Sequence, residues 1–461
     1  MAQGRVDEAA KVMEGHLISG RADTEWRGAA LDSRAISDGE LFFALPGEQT
    51  DGHRFVSQAL ERGASAAIVQ QSVPTLPPGG LIQVDDSLEA LHRLTRHVRN
   101  RTPQKLVAVT GSIGKTTTKE ILAKLLSRRY RVARNPGNLN NLFGFPVALL
   151  GIPEDTEWMV AEMGMSTPGE LSRVSRLGRP EVAIFTNVQP VHLEFFGSLR
   201  AVAEAKAELL DGLTPDGLVV ANRDDPEILR FIKRHRGPKV WFAMEAEANY
   251  QITDLEPLVG TVGSRFRLVA GNEEQEVLLP LHGRYNVANF LAAAACAHSL
   301  GVPLAELAEA AQRVEAPPMR GVVHHCVQDI IVVDDSYNSN PAGVAAALSA
   351  AAGLTGARHW AVLGTMLELG ETSASLHREA GRQAAEAGFS PVVGVGELAR
   401  ELVAGAAAAG ATTNWFEDAA AAAATIPDEL HAGDVVLVKG SRGVGLEEVV
   451  RSLLAQVEER A

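Results

Sequence analysis

Short apolar runs recur along the chain, each ending in a polar or glycine-bearing turn and each followed by a stretch with helical spacing. That alternation predicts buried strands joined by helices, an α/β architecture with parallel sheets. The sharpest example is 106–109 (LVAV). It is followed by the turn TGSIG at 110–114 and by a helix from Lys115 with Ile121, Leu122, Leu125 and Leu126 on one face. Residues 158–161 (WMVA) and 182–185 (VAIF) repeat the pattern; the first ends at Glu162, the second at Thr186 and Asn187 with His192 just beyond. Residues 198–213 read as one helix, 217–222 and 240–243 as strands, and 250–281 as an antiparallel ribbon.

Before 100, short strands and helices alternate: LFFALPG at 41–47 is a strand closed by Pro-Gly, and 54–64 has helical spacing with Gly63 as its stop. From 317 the pattern starts again, with its first strand in DIIVVDDSYNSNP (329–341). Strand-then-turn units follow at 359–371, 391–396 and 434–443. This predicts a parallel sheet of dinucleotide-fold type, but no GxGxxG follows its first strand, so no nicotinamide site is expected. The boundaries read as 1–102, 103–316 and 317–461. The alanine-rich tract 404–424 is expected to form two helices around a short strand, since alanine is the least costly helix residue.

Composition narrows the function. At 461 residues the chain is too long for one core. A net charge of −14 argues against sequence-independent nucleic-acid or anionic-membrane binding. No apolar window is long enough for a membrane span, and the first residues, MAQGRVDEAAKVMEG, do not read as a secretory signal. Cys296 and Cys326 form neither a CxxC pair nor a disulfide framework, which fits a reducing cytoplasm.

A strand, a glycine-bearing turn and a helix N-terminus together make an anion site. Gly111, Ser112, Ile113, Gly114, Lys115, Thr116 and Thr117 would cradle phosphates, Lys115 as a mobile cation and Thr116 as a hydroxyl for the magnesium of ATP. The usual phosphate-loop expression wants a glycine where this chain has Val109, so only its shorter half is present. Ligands in open α/β sheets bind beyond the carboxyl ends of strands, which is where Glu162 and His192 fall, and both read as metal ligands there. Asn135, Asn138, Asn140 and Asn141 crowd one loop and offer amides to a sugar or peptide. In the third region Asp335, Asn338, Asn340, Lys439, Ser441 and Arg442 are groups suited to ribose, phosphate and carboxylate. On their own residues, Lys206 reads as a solvated helix lysine and Asp32-Ser33-Arg34 as a solvated turn.

Eight motifs, in order through all three regions, resemble those of the Mur ligases of peptidoglycan synthesis. They are TGSIGKTTTKE, NPGNLNNLFGFP, AEMGMSTPGE, NVQPVHLEFFGSLRAVAEAKAEL, GRYNVAN, VVDDSYNSNP, LGTMLELGE and VLVKGSRG. DDSYNSNP with LGTMLELG is similar to the branch that adds D-alanyl-D-alanine to UDP-N-acetylmuramoyl-tripeptide, and no DNPR-like acceptor motif of the sister branch is present. The resemblance implies a UDP-substrate domain at 1–102, with Leu31, Ser33, Glu48, Gln49 and Thr50 at uridine-contact positions. It implies a central ATP-binding domain at 103–316 and a Rossmann-like ligase domain at 317–461. Substrate contacts fall on Asn138, Asn141, Asn338 and Asn340, and nucleotide contacts on Asn286, Asn289, Arg320 and Asp335. It implies a carbamylated Lys206 that ligates a second magnesium beside the one held by Thr116, Glu162 and His192, with Lys115, Lys206, His192 and Glu162 as the catalytic set. Two positions depart from the family: Tyr285 stands where histidine is usual, and Thr365 where aspartate is.

The chemistry implied is ATP-dependent amide-bond formation through an acyl phosphate, in cytoplasmic precursor synthesis for the cell wall, by a monomer with no nucleic-acid partner. The rival readings are a Mur-type ligase with another acceptor, folate-like included, and a nucleotide-regulated binding protein without ligase turnover.

Overall fold

The structure is a computed structural model that describes residues 1–47, 50–72, 79–137, 139–258 and 262–459, with side chains through 455. The chain falls into two compact units, each assembled from separate stretches: Met1–Thr110, Arg129–Ile184 and Ala207–Val219 in one, Gly111–Arg128, Phe185–Lys206 and Val220–Ala461 in the other.

The first unit holds a five-stranded sheet in the order His16–Ser19, Gly80–Gln83, Ala66–Val69, Leu41–Phe43, Ala29–Ala30. All its neighbours are parallel except the first pair. The same unit contains the strand Lys105–Thr110, buried from Leu106 onward, as expected of an interior parallel strand with both faces covered. Trp158–Glu162 lies parallel to it, with Glu162 opposite Val109, and Val132–Arg134 adds an edge strand that the hydrophobic pattern did not mark. That strand has only three residues, one of them an exposed arginine, so no alternation announces it.

In the second unit the helix Lys115–Leu126 packs on Arg284–Ser299, whose run of alanines allows close approach and buries Cys296. The antiparallel ribbon is present as Tyr250–Pro257, Ser264–Ala270 and Glu273–Leu279. A six-stranded sheet follows in the order Val322–His325, Ile331–Asp334, Asp434–Lys439, Arg358–Gly364, Val392–Val395, Thr413–Phe416. Hydrophobic clusters cover both of its faces. Its opening strand differs from the expected one. Val322–His325 precedes the 329–341 segment and pairs with it antiparallel, as an edge whose paired histidines hide it in the sequence. The alanine tract is two helices around Thr413–Phe416, as expected. The helix expected over 198–213 is α-helical only over Leu199–Ala207 and tightens to a 3₁₀ turn at Glu208–Asp211. Among the described residues no helix is long and apolar enough to cross a membrane.

Phe389 is fully buried in one of the clusters on the six-stranded sheet, edge-on to His359 at 5.7 Å between ring centroids. Phe389→Ala is expected to cost about 3–5 kcal/mol of stability in a denaturant titration, from lost burial plus the cavity left behind.

Candidate active site

The turn after Lys105–Thr110 is held from behind by the segment that follows Val182–Phe185. Ser112 N–H donates to the Asn187 carbonyl (2.9 Å), and Ile113 N–H donates to Asn187 Oδ1 (3.1 Å). The Ile113 carbonyl accepts from Thr186 Oγ1 (2.9 Å) and Asn187 Nδ2 (3.0 Å). Ser112 Oγ donates to the Gln189 carbonyl at 3.0 Å and accepts from Gln189 N–H at 2.8 Å. With those two loop amides committed to Asn187, the donors facing an anion are those of the helix's first turn, which lack carbonyls one turn earlier. Lys115 Nζ lies over the loop, donating to the carbonyls of Gly111 (3.0 Å) and Ser112 (3.1 Å), within a short swing of anything the loop holds.

Two glycines are required here for space as well as conformation. A Cβ on Gly111 would stand 1.9 Å from Thr186 Oγ1, and one on Gly114, at φ +82°, would stand 2.1 Å from Asn289 Oδ1. Gly114→Ala therefore meets strain and a clash together, and is expected to remove ADP-induced thermal stabilisation and to lower the unfolding midpoint. A thermal shift measured with and without ADP checks both.

Asn286 and Asn289 are both buried. Asn289 Nδ2 donates to Asn286 Oδ1 (3.3 Å), Asn286 Nδ2 to the His282 carbonyl (2.8 Å), and Thr118 Oγ1 to Asn289 Oδ1 (3.4 Å). In this structure they support the loop from beneath. Tyr285 packs against Gly321, where a Cβ would meet its hydroxyl at 2.4 Å. Burial, then the nearby Asp335 charge, push the Tyr285 phenol far above its usual range.

Lys206, which reads as solvated in the sequence, is 3 % exposed and makes no hydrogen bond or ion pair among the described residues. Burial first, then the Lys115 charge, hold its amine well below the ordinary lysine value, and Asp225 only partly opposes them. Asp225 is itself raised by burial while accepting from Val188 N–H (2.6 Å), Glu227 N–H (2.9 Å) and Ile228 N–H (3.1 Å). The result is a buried amine in the field of Lys115, with both burial and that charge disfavouring its ammonium form.

In the first unit, Glu162 is aimed by two asparagines. Asn140 Nδ2 donates to Glu162 Oε1 (2.8 Å), while Asn135 brackets the Glu162 backbone, donating to its carbonyl (3.2 Å) and accepting from its N–H (2.9 Å). Asn141 Oδ1 accepts from Phe143 N–H (3.2 Å) and Gly144 N–H (2.9 Å), which opens the helix Gly144–Leu150. Asn135 and Asn140 thus brace the Glu162 segment, and Asn141 a helix start. Ser33 is buried and donates to Gln58 Oε1 (2.6 Å), Leu31 packs on the core, and Thr50 is exposed. Glu48, Gln49 and Asn138 lie outside the described residues.

The carboxyl ends of the six-stranded sheet gather the other polar groups. Lys439 Nζ donates to Asp335 Oδ2 (2.6 Å) and to the Asn338 carbonyl (2.9 Å). Asn340 Oδ1 caps the helix Pro341–Ala352 through Gly343 N–H (2.8 Å), and Asn338 Oδ1 accepts from Ser339 N–H (2.9 Å). Ser441 Oγ accepts from Leu367 N–H (3.0 Å), and Arg442 Nη1 lies 3.4 Å from Glu447 Oε1. Thr365, in the aspartate position, is buried with its hydroxyl beside Gly396, where a carboxylate would be dehydrated. Arg320 stacks on Tyr337 at 3.9 Å and donates to Thr116 Oγ1 (3.3 Å). His192 Nδ1 pairs with Glu368. That hydrogen bond holds the Glu368 carboxyl below its usual range against the opposing effect of burial.

Backbone amides and an ammonium suit a polyphosphate. Thr116 in the second unit offers a hydroxyl and Glu162 in the first a carboxylate, each a hard oxygen of the kind magnesium prefers. Among the described residues no three His, Cys, Asp or Glu side chains gather as a metal cluster; of those residue types the expected ligand set has only Glu162 and His192.

Three family models match in succession: "Mur ligase family, catalytic domain" over 26–99, "Mur ligase middle domain" over 109–297, and "Mur ligase, glutamate ligase domain" over 319–442. A UDP-N-acetylmuramoyl-tripeptide--D-alanyl-D-alanine ligase of Escherichia coli is 35% identical over 94% of this chain and 94% of its own length. The chain belongs to the Mur ligase family, in its MurF branch. Solved structures agree. MurF from Acinetobacter baumannii superposes with a TM-score of 0.89 at 28% identity, covering 99% of both chains. MurF from Thermotoga maritima in complex with ADP gives 0.82 at 29% identity, covering 94% of this chain and 99% of that one. In this chain the motifs lie at the carboxyl ends of parallel strands.

Proposed function

We infer that this protein joins D-alanyl-D-alanine to UDP-N-acetylmuramoyl-tripeptide at the expense of ATP, in cytoplasmic peptidoglycan precursor synthesis, acting as a monomer. The observation that carries this is the match along nearly the whole chain to ligases of that name. The braced loop and the buried lysine with its depressed basicity give it chemical sense. On this reading 1–102 takes the UDP end through Leu31, Ser33, Glu48, Gln49 and Thr50, 103–316 takes ATP, and 317–461 takes the incoming dipeptide.

A peptide carboxylate is a poor acyl donor because its leaving group would be oxide. Its oxygen attacks the γ-phosphorus of ATP, the bond to the β-phosphate bridge breaks, and ADP departs, leaving an acyl phosphate. Lys115, moving from the loop carbonyls to the phosphates, spreads the developing charge together with the first-turn amides. Arg320 reaches the same loop from the third region and supplies a second cation. The free amine of the dipeptide then attacks the acyl carbon; the amide N–C bond forms, phosphate leaves, and the amine gives up its proton. Asn338 and Asn340 are the residues of the third region assigned to the substrate, and Asp335, paired with Lys439, to the nucleotide.

Magnesium, when bound, would neutralise the phosphate oxygens, with Thr116, Glu162 and His192 as residues that would hold it and a carbamylated Lys206 as the holder of a second ion. Lys206 suits carbamylation because an uncharged amine attacks the carbon of carbon dioxide, forming N–C and releasing a proton. The Lys115 charge that disfavours an ammonium favours the resulting anion.

Mass spectrometry of the UDP-muramoyl product tests the assignment. With ATP, magnesium and D-alanyl-D-alanine, the tripeptide substrate should gain the mass of the dipeptide less one water. Addition of a single amino acid instead, or no addition with ATP hydrolysis indifferent to the amine, would reject it.

A further inference from the structure

Glu368 belongs to no ligand set described above, yet it reaches the imidazole of His192 from a distant part of the chain. The contact is built on both sides. His192 and Glu368 each hold the left-handed backbone region, at φ +55° and +63°, which non-glycine residues adopt only when their surroundings enforce it. Glu194 N–H donates to the Glu368 carbonyl (3.2 Å), so backbone and side chain meet the same segment. That segment is pinned in turn to its own sheet. Met366 N–H donates to His377 Nε2 (2.8 Å), and Leu367 N–H donates to Ser441 Oγ (3.0 Å). Nδ1 of His192 is therefore committed, whereas Nε2 has no hydrogen-bond partner among the described residues.

We propose that Glu368 is a positioning residue for the metal-binding step. By accepting from Nδ1–H it fixes the His192 tautomer, turns the Nε2 lone pair outward as the ligating atom, and ties that ligand to the segment 365–370 of the dipeptide-binding region. A carboxylate behind a ligating imidazole sets ring orientation and basicity, and its loss commonly weakens metal binding by about 10–100-fold. The inference rests on reading His192 as a magnesium ligand, and it separates from the ligase assignment because its first readout needs neither metal nor substrate.

That readout is nitrogen-15 NMR of the metal-free protein at a pH where the imidazole is neutral, with the His192 signals assigned from their loss in His192→Asn. The wild type should show the Nδ1–H tautomer, and Glu368→Ala should shift toward Nε2–H. The second readout is the magnesium concentration giving half-maximal ADP release. It should rise about 10–100-fold in Glu368→Ala and stay within about threefold in Glu368→Gln, whose amide oxygen still accepts from Nδ1–H. A wild-type Nε2–H tautomer, or an alanine variant with unchanged magnesium dependence, would overturn the proposal. So would a glutamine variant that falls as far as alanine, since charge and not orientation would then carry the effect. A wild type with no acceptor-dependent ADP release would reject the ligase reading instead and leave the tautomer result standing.

Discussion

Lys115→Ala is expected to lower acceptor-dependent ADP release by at least about a thousandfold, the scale on which one preorganised cation or donor at a phosphoryl transition state acts. The fold should survive, because the ammonium's hydrogen bonds to the carbonyls of Gly111 and Ser112 lie within its own loop. The loop's shape is set independently by Thr186, Asn187 and Gln189, which remain. An unfolding midpoint within a few degrees of wild type, together with the lost turnover, would place the effect in chemistry. Turnover near the wild-type level would remove the loop from the mechanism.

Lys206→Met should abolish ligase turnover to a similar extent and yet leave the protein at least as stable. The native site buries an amine with no partner among the described residues, and a methionine of similar length removes the desolvation cost. The pH dependence has a definite sign. With the folded value held well below the ordinary 10.5, the unfolded chain binds the extra proton between those two values. In carbon-dioxide-free buffer the wild type therefore gains stability as pH rises through that window, and bears the full penalty below it. The methionine variant should lose that slope. Lys206→Ala, which leaves room, should regain part of its turnover with added formate or acetate. No rescue, with wild-type activity indifferent to carbon dioxide, would rule out a carbamate.

The strand Lys105–Thr110 and the helix Lys115–Leu126 around the proposed phosphate loop were legible because strand, turn and helix start are contiguous, so hydrophobic period and glycine placement announce them locally. What holds the loop was not, since Asn187 meets Ile113 across seventy-odd positions and nothing in NVQP marks it as a brace. The same applies to Asn135 and Asn140, which read as a loop able to touch sugar and serve to aim Glu162. Lys206 sits among alanines in an unremarkable helix, and its burial is decided by what packs against that helix. The Glu368–His192 contact joins residues 176 apart in sequence and depends on two strained backbones that composition cannot express. Short edge strands failed for a plainer reason. Val132–Arg134 and Val322–His325 are too brief for a period-two pattern to separate them from loop.

The central claim is that ATP converts the tripeptide's terminal carboxylate into an acyl phosphate, and oxygen labelling tests it most directly. With both carboxylate oxygens of the tripeptide substrate as oxygen-18, one label should leave in inorganic phosphate and the other remain in the new amide carbonyl. Phosphate free of label after product has formed would mean that no bond ever joined that carboxylate to phosphorus, and would contradict the account.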